Sequence, residues 1–157
     1  MPDLLMPAAH AFVQTAEEVA QVAVALTPDD LWQRPGGAAS PGFHLKHIVG
    51  ATDRLLTYAR GEQLTPAQIA VLKSEKDPAT PPESVAALIA GVQQAIEDAL
   101  AQLRRTPVDT LMEKRTVGRA ALPTTVMGLL FHAAEHAQRH AGQLTTTVKV
   151  MRAISCV

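Results

Sequence analysis

The sequence predicts an all-α chain, a four-helix bundle with a long crossover between its second and third helices. Three observations lead there. Hydrophobic residues make up 47% of the 157 but aromatics only 3%, and the apolar residues are mostly Ala, Leu and Val, a mixture that suits tight helix packing better than sheets. Apolar residues recur at helical rather than alternating spacing through four long stretches. The segment 61–82 is long for a hairpin between antiparallel helices, which favours a crossover linking two parallel neighbours. At this length a single domain over residues 1–157 is expected, and no internal repeat or low-complexity tract breaks it up.

Each element has its own signal. Over residues 4–25, Leu5, Ala9, Phe12, Ala16, Val19, Ala20 and Ala23 keep to one side of a helix. Thr27-Pro28-Asp29-Asp30 resembles a capped start, but Pro35-Gly36-Gly37 stops it after a turn or two, leaving a connector that tucks Trp32 against the bundle. Ser40-Pro41 opens the second long helix, over 41–60, and Gly61 closes it. Two apolar stripes run along that helix, one through Leu45, Ile48, Val49, Leu56 and Ala59, the other through His44, Ile48, Ala51, Leu55 and Tyr58.

A short helix over 65–76 follows, capped by Thr65 with Pro66 behind it, and then the stiff linker 77–82. Thr80-Pro81-Pro82-Glu83 reads as a capping box opening the third long helix, whose inner face runs Val85, Leu88, Ile89, Val92, Ile96, Ala99, Leu100 and Leu103. Residues 106–122 hold no helical stripe, and Thr116-Val117-Gly118-Arg119 reads as a turn or a short extended piece. Pro123 is read as the opening of the last helix, which runs to about Met151.

Composition narrows the function. With 14 basic and 15 acidic residues there is no charge excess to hold a phosphate backbone, and no basic stripe with interleaved aromatics, so nucleic acid is not an expected partner. No apolar run approaches the roughly 18 residues of a membrane span, and Met1-Pro2-Asp3 carries an acid where a signal peptide carries bases. The single Cys156 cannot form an intramolecular disulfide, which suits a reducing compartment. A soluble, cytoplasmic protein without a membrane partner is expected.

The chemistry concentrates in the last helix. His132, His136 and His140 recur every four residues, a metal-ligand spacing that climbs one side of a helix while drifting by about 40° per step. Ligands four apart can share an ion, but His132 and His140 are separated by about 12 Å of axial rise and cannot. From the centre of the apolar stripe through Val126, Leu130, Ala133, Ala137, Leu144, Val148 and Met151, His140 lies about 50° away, His136 about 90° and His132 about 130°. His136 and His140 therefore face inward and His132 lies at the periphery. Two imidazoles fill only part of a coordination sphere, so further ligands must come from another helix or from water. The second long helix offers His44 and His47, and periodicity leaves the choice between them open.

His132-Ala133-Ala134-Glu135-His136 also matches the inverted zinc-protease pattern H-x-x-E-H. That pattern needs a further acidic ligand downstream, and no Asp or Glu follows Glu135. Glu135 points about 170° from the core stripe, which suits a solvated face. Gln143 shares the side of His136 and His140, where it can orient a ligating imidazole, cap a neighbouring turn or bond water. Gly142 is read as allowing close helix approach, Arg54 and Arg139 as solvated arginines or else lining of the cleft mouth, and His10 and His132 as surface or supporting residues.

Ser40-Pro41-Gly42-Phe43-His44-Leu45-Lys46-His47-Ile48, with Arg54-Leu55-Leu56 and Gly61, together with His136-Ala137-Gln138-Arg139-His140-Ala141-Gly142-Gln143, resembles the DinB/YfiT-like metalloenzyme superfamily over most of the chain. The resemblance implies that His47, rather than His44, joins His136 and His140 around one divalent metal ion, zinc or nickel being usual, in a cleft of a bundle that is often a homodimer. It departs from the pattern at Ala141, where many members carry histidine or arginine, and in having His44 and His132 in addition. Among members are S-transferases using a low-molecular-weight thiol, small-substrate hydrolases, thiol-using isomerases and many proteins of no known activity, so the resemblance allows an enzyme acting on a small-molecule substrate, a thiol S-transferase or a hydrolase being the expected forms, and does not select between them. The competing readings are a non-catalytic, dimeric module that binds metal or a small ligand, and structural histidines that hold no metal.

Overall fold

The structure is a computed structural model and describes residues 1–155; Cys156 lies outside the described residues. Its long helices are α1 (Met6–Ala23), α2 (Pro41–Ala59), α4 (Val85–Arg105) and α5 (Val126–Ser155), with a short α3 (Pro66–Ser74) and a hairpin of β1 (Lys114–Val117) and β2 (Leu122–Thr125). α2 packs against α5 and α4, and α1 packs against the same two. The order around the bundle is therefore α1, α5, α2, α4, with sequence neighbours α1 and α2 on one diagonal.

Hydrogen bonds between helices fix their directions. Near the start of α2, Lys46 pairs with Glu83 just before α4, and near the ends of both helices Gln102 bonds to the Leu56 carbonyl and to Arg60. The two helices thus run parallel, which requires the expected crossover through α3. Gln138 bonds to Gln14 and Thr145 to Glu18, so α1 and α5 are also parallel. His44 meets His140 while His47 meets His136, so α2 and α5 are antiparallel.

Local chemistry explains the boundaries of α2. Ser40 Oγ accepts from the Phe43 N–H at 3.3 Å, with Pro41 at the first helical position, so an otherwise orphaned donor is satisfied where proline costs nothing. At the other end Gly61 has φ +79°, its N–H bonds to the Tyr58 carbonyl and the Glu62 N–H to that of Thr57, the paired bonds of a Schellman stop. The two sequence stripes of α2 reflect its two neighbours: Leu45, Ile48, Ala51, Leu55, Leu56 and Ala59 are all buried. The expected stripe of α5 is buried from Val126 to Met151.

Three local expectations are corrected. α4 is capped by Ser84, whose side chain accepts from the Ala87 N–H, while Glu83 bonds back to the Ala79 N–H, so Thr80 to Glu83 is no capping box. Pro123 lies in β2, opposite Thr116, and α5 opens three residues later at Val126. A proline suits a short edge strand as well as a first helical turn, and Val126 and Met127 are drawn to the Glu113 and Leu111 carbonyls. Arg54, read as solvated, is buried at 7% exposure, for a reason that belongs to the site below. Trp32 does tuck against the bundle, so closely that a Cβ at Gly42 would meet its ring and the Leu31 carbonyl at 2.9 Å. Among the described residues no helix is long and apolar enough to cross a membrane.

Candidate metal centre

The antiparallel register of α2 and α5 brings His47, His136 and His140 together: one nitrogen of each lies within 4.8 Å of the others, close enough that the three could hold one metal ion. His47 Nε2 and His136 Nε2 are 2.9 Å apart. The ring centroids are 4.5 Å apart for His47 and His140 and 4.7 Å for His136 and His140. Phe43 lies almost flat on His47, with centroids 5.0 Å apart and planes at 17°, and meets His140 edge-on. One turn of α2 thus supplies both a donor and the apolar plate over it.

His44 stands behind the trio rather than in it. Its Nδ1 is 3.0 Å from His140 Nδ1, so one ring donates to the other and the His140 nitrogen left over is Nε2. His132, as expected, stays peripheral: its side chain is 45% exposed and its Nδ1–H donates to Glu135 Oε1 at 2.7 Å, with Arg139 donating to the same carboxylate. One ligand atom each of His132, Glu135 and His136 also lies within 4.8 Å of the others, as a second group. His10 is exposed on α1.

Glu75, the residue that ends α3, was not singled out from the sequence. It is 1% exposed. Its Oε2 accepts from His47 Nδ1–H at 2.7 Å and its Oε1 from Arg54 Nη1–H at 2.6 Å. This explains the buried Arg54: the guanidinium is the counter-charge of a carboxylate that would otherwise be costly to bury. Gln143 is exposed, which favours bonds to water among its readings, and the bonds that orient His47 and His140 come from Glu75 and His44. A Cβ at Gly142 would meet nothing within 4 Å, so this glycine does not mark a close helix approach. Both residues line a cleft of about 480 Å³ that opens beside His140, walled by Phe43, His44, Arg139 and Thr147.

The protonation chemistry suits a cation. Burial, reinforced by neighbouring imidazoles, pushes His44 down to about 4, His136 down to about 4 and His140 down to about 3, so all three are neutral at pH 7 with lone pairs to give. His47 turns Nδ1 to Glu75 and Nε2 to His136. His136 Nδ1, which is not the nitrogen facing His47, is buried without a hydrogen-bond partner. A tetrahedral ion with bonds of about 2.0–2.1 Å holds its ligand nitrogens roughly 3.3 Å apart, a small side-chain rotation from the 2.9 Å between His47 and His136. The residues present fit such an ion.

A family profile, that of the DinB superfamily, matches residues 11–144. The chain belongs to the DinB superfamily. Solved structures agree on the fold. A conserved protein from Enterococcus faecalis superimposes with a TM-score of 0.75 at 14% identity, covering 96% of this chain and 98% of that one. A DinB-like protein from Bacillus cereus gives 0.63 at 19% identity, covering 92% and 91%. No curated protein matches the chain. In this DinB-superfamily chain the imidazole trio sits between α2 and α5, and both helices contribute to the matched region.

Proposed function

We propose that this chain is a divalent-metal-dependent enzyme in which His47, His136 and His140 bind one ion, zinc or nickel, and the cleft beside His140 admits a small-molecule substrate. The observation that carries the reading is the convergence of three imidazole nitrogens within 4.8 Å, in a chain of a superfamily whose resemblance implies a three-histidine site. Bound by three neutral imidazoles, such an ion keeps its full charge and makes a nucleophile of water or of a thiol near neutral pH.

The chain's own residues account for the rest. Glu75 and His44 hold the outer nitrogens of His47 and His140, fixing which nitrogen faces inward. Phe43 covers His47 and excludes water from that face. The cleft, at about 480 Å³, is of the size that takes a small organic molecule. Gln143 and Thr147 offer it hydrogen bonds and Phe43 an apolar wall. In the S-transferase form of the reading the thiol comes from solution as a co-substrate; in the hydrolase form water takes its place.

Metal-loaded protein is to be assayed against low-molecular-weight thiols paired with electrophiles, and against small amides and esters. Turnover that a chelator abolishes and added zinc or nickel restores supports an enzyme, and the productive panel separates transferase from hydrolase. Metal-loaded protein that retains a small molecule yet turns over neither panel supports the non-catalytic binding module instead. The resemblance further implies a homodimer, and a sedimentation mass of two chains supports that.

A further inference from the structure

We infer that Glu75 is a positioning residue that turns His47 Nε2 toward His136 and His140, and that through it the crossover of residues 60–84 docks more firmly when the site holds its ion. The inference rests on the metal reading above.

Glu75 is not buried by apolar packing. α3, which delivers it, has no buried residue of its own, yet the carboxylate immediately after it is 1% exposed. Burying a carboxylate is costly unless each oxygen is satisfied, and here each oxygen has one cationic or N–H partner, Arg54 on one side and His47 on the other. Space for this is built into α2. A Cβ at Gly50 would overlap Glu75 Oε1 and come within 2.7 Å of Arg54 Nη1, so only glycine admits the carboxylate at that turn.

A counter-ion for Arg54 alone would need none of the contact to His47. The 2.7 Å bond to Nδ1 specifies more: it holds a proton on Nδ1 and turns Nε2 inward, and Nε2 is the nitrogen 2.9 Å from His136. A carboxylate on the outer nitrogen of a ligating imidazole fixes the tautomer and strengthens the ligand. Because Glu75 belongs to the crossover and His47 to α2, a firmer His47 is linked to a firmer crossover, and by reciprocity an ion that needs His47 in place favours the docked crossover.

The test uses the full chain, with zinc as the probe, in competition with a chromophoric chelator. Glu75→Gln and Gly50→Ala are each expected to weaken zinc binding by about 10–100-fold, and His140→Ala to abolish it. Long-range proton–nitrogen NMR of the zinc-free wild type is expected to show His47 protonated at Nδ1, a signature that Glu75→Gln loses. Hydrogen exchange is expected to slow in residues 60–84 of the wild type on adding zinc, and not in Glu75→Gln.

Wild-type zinc affinity in both variants, with His140→Ala inactive in binding, overturns the role of Glu75 and leaves the metal site standing. A wild type that binds no stoichiometric zinc removes the metal reading and this inference with it. Should both variants fail to fold, the wild type alone decides: His47 protonated at Nε2, or crossover exchange indifferent to zinc, contradicts the inference.

Discussion

His47 stands between a carboxylate and two imidazoles, and this placement was only half visible in the sequence. The spacing of His136 and His140 and their inward angle are properties of one helix, so periodicity alone revealed them. Choosing between His44 and His47 needed the register between α2 and α5, which no local pattern carries; the resemblance pointed to His47, and the structure brings it into the trio with His44 bonded behind. Glu75 left no local signal. It sits among Lys73, Ser74, Lys76 and Asp77, where an acid reads as solvated, and only the path of the crossover buries it. At this scale the depressed histidines give a pH prediction for the metal-free protein. Unfolded histidines take up protons near pH 6.5, whereas His44 and His136 hold out to about 4 and His140 to about 3. The unfolded state therefore binds more protons below pH 6.5, so stability is full above that pH and falls as the pH drops toward about 4. Urea midpoints measured across that range should decline, and His44→Gln should flatten the decline; a midpoint constant between pH 7 and 4.5 would contradict the buried, neutral state of these rings.

Helices were legible where one chemical device sets one boundary. Ser40 with Pro41, Gly61, and Thr65 with Pro66 all act as the sequence suggests. Ser40→Ala removes the acceptor for the Phe43 N–H and should cost about 1 kcal/mol of stability. Gly61→Ala, forced to φ +79°, should cost a similar amount, about 1 kcal/mol, since alanine at positive φ is strained. Chemical denaturation of each variant checks both; a change within a few tenths of a kcal/mol for Ser40→Ala would mean that the cap does not set this boundary. Legibility failed where one residue type serves two structures. Pro123 suits a helix start and an edge strand equally, and the bonds from Val126 and Met127 to the Glu113 and Leu111 carbonyls, which a local pattern does not contain, decide between them. Thr80 and Glu83 have capping-box spacing, but Ser84 lies one residue closer to the apolar run and takes the cap.

The bundle as a whole is held by a core that runs from Phe12 and Val19 on α1 through Leu45 and Ile48 on α2 to Val92 and Leu103 on α4 and Leu130 and Leu144 on α5. The crossover was inferred from its length alone, and the parallel pairing of α2 with α4 bears that out; the diagonal placement of α1 and α2 carries no sequence signal, because a connector of this kind can reach either neighbour or diagonal. Leu45 is fully buried in that core, and Leu45→Ala should cost about 2–5 kcal/mol by leaving a cavity, read as a lowered denaturation midpoint. Since the trio joins helices distant in sequence, an ion bound there stabilises the folded chain over the unfolded one. Free zinc at 100 times its dissociation constant should add about 2.7 kcal/mol, seen as a higher melting temperature that a chelator reverses and that His140→Ala does not show.

Anomalous diffraction from crystals grown with zinc or nickel, recorded at the absorption edge of the metal, tests the shared site most directly. One peak per chain, enclosed by imidazole nitrogens of His47, His136 and His140, is the predicted result. A peak held instead by His132 and Glu135, or no peak between α2 and α5 in crystals containing the metal, would contradict it.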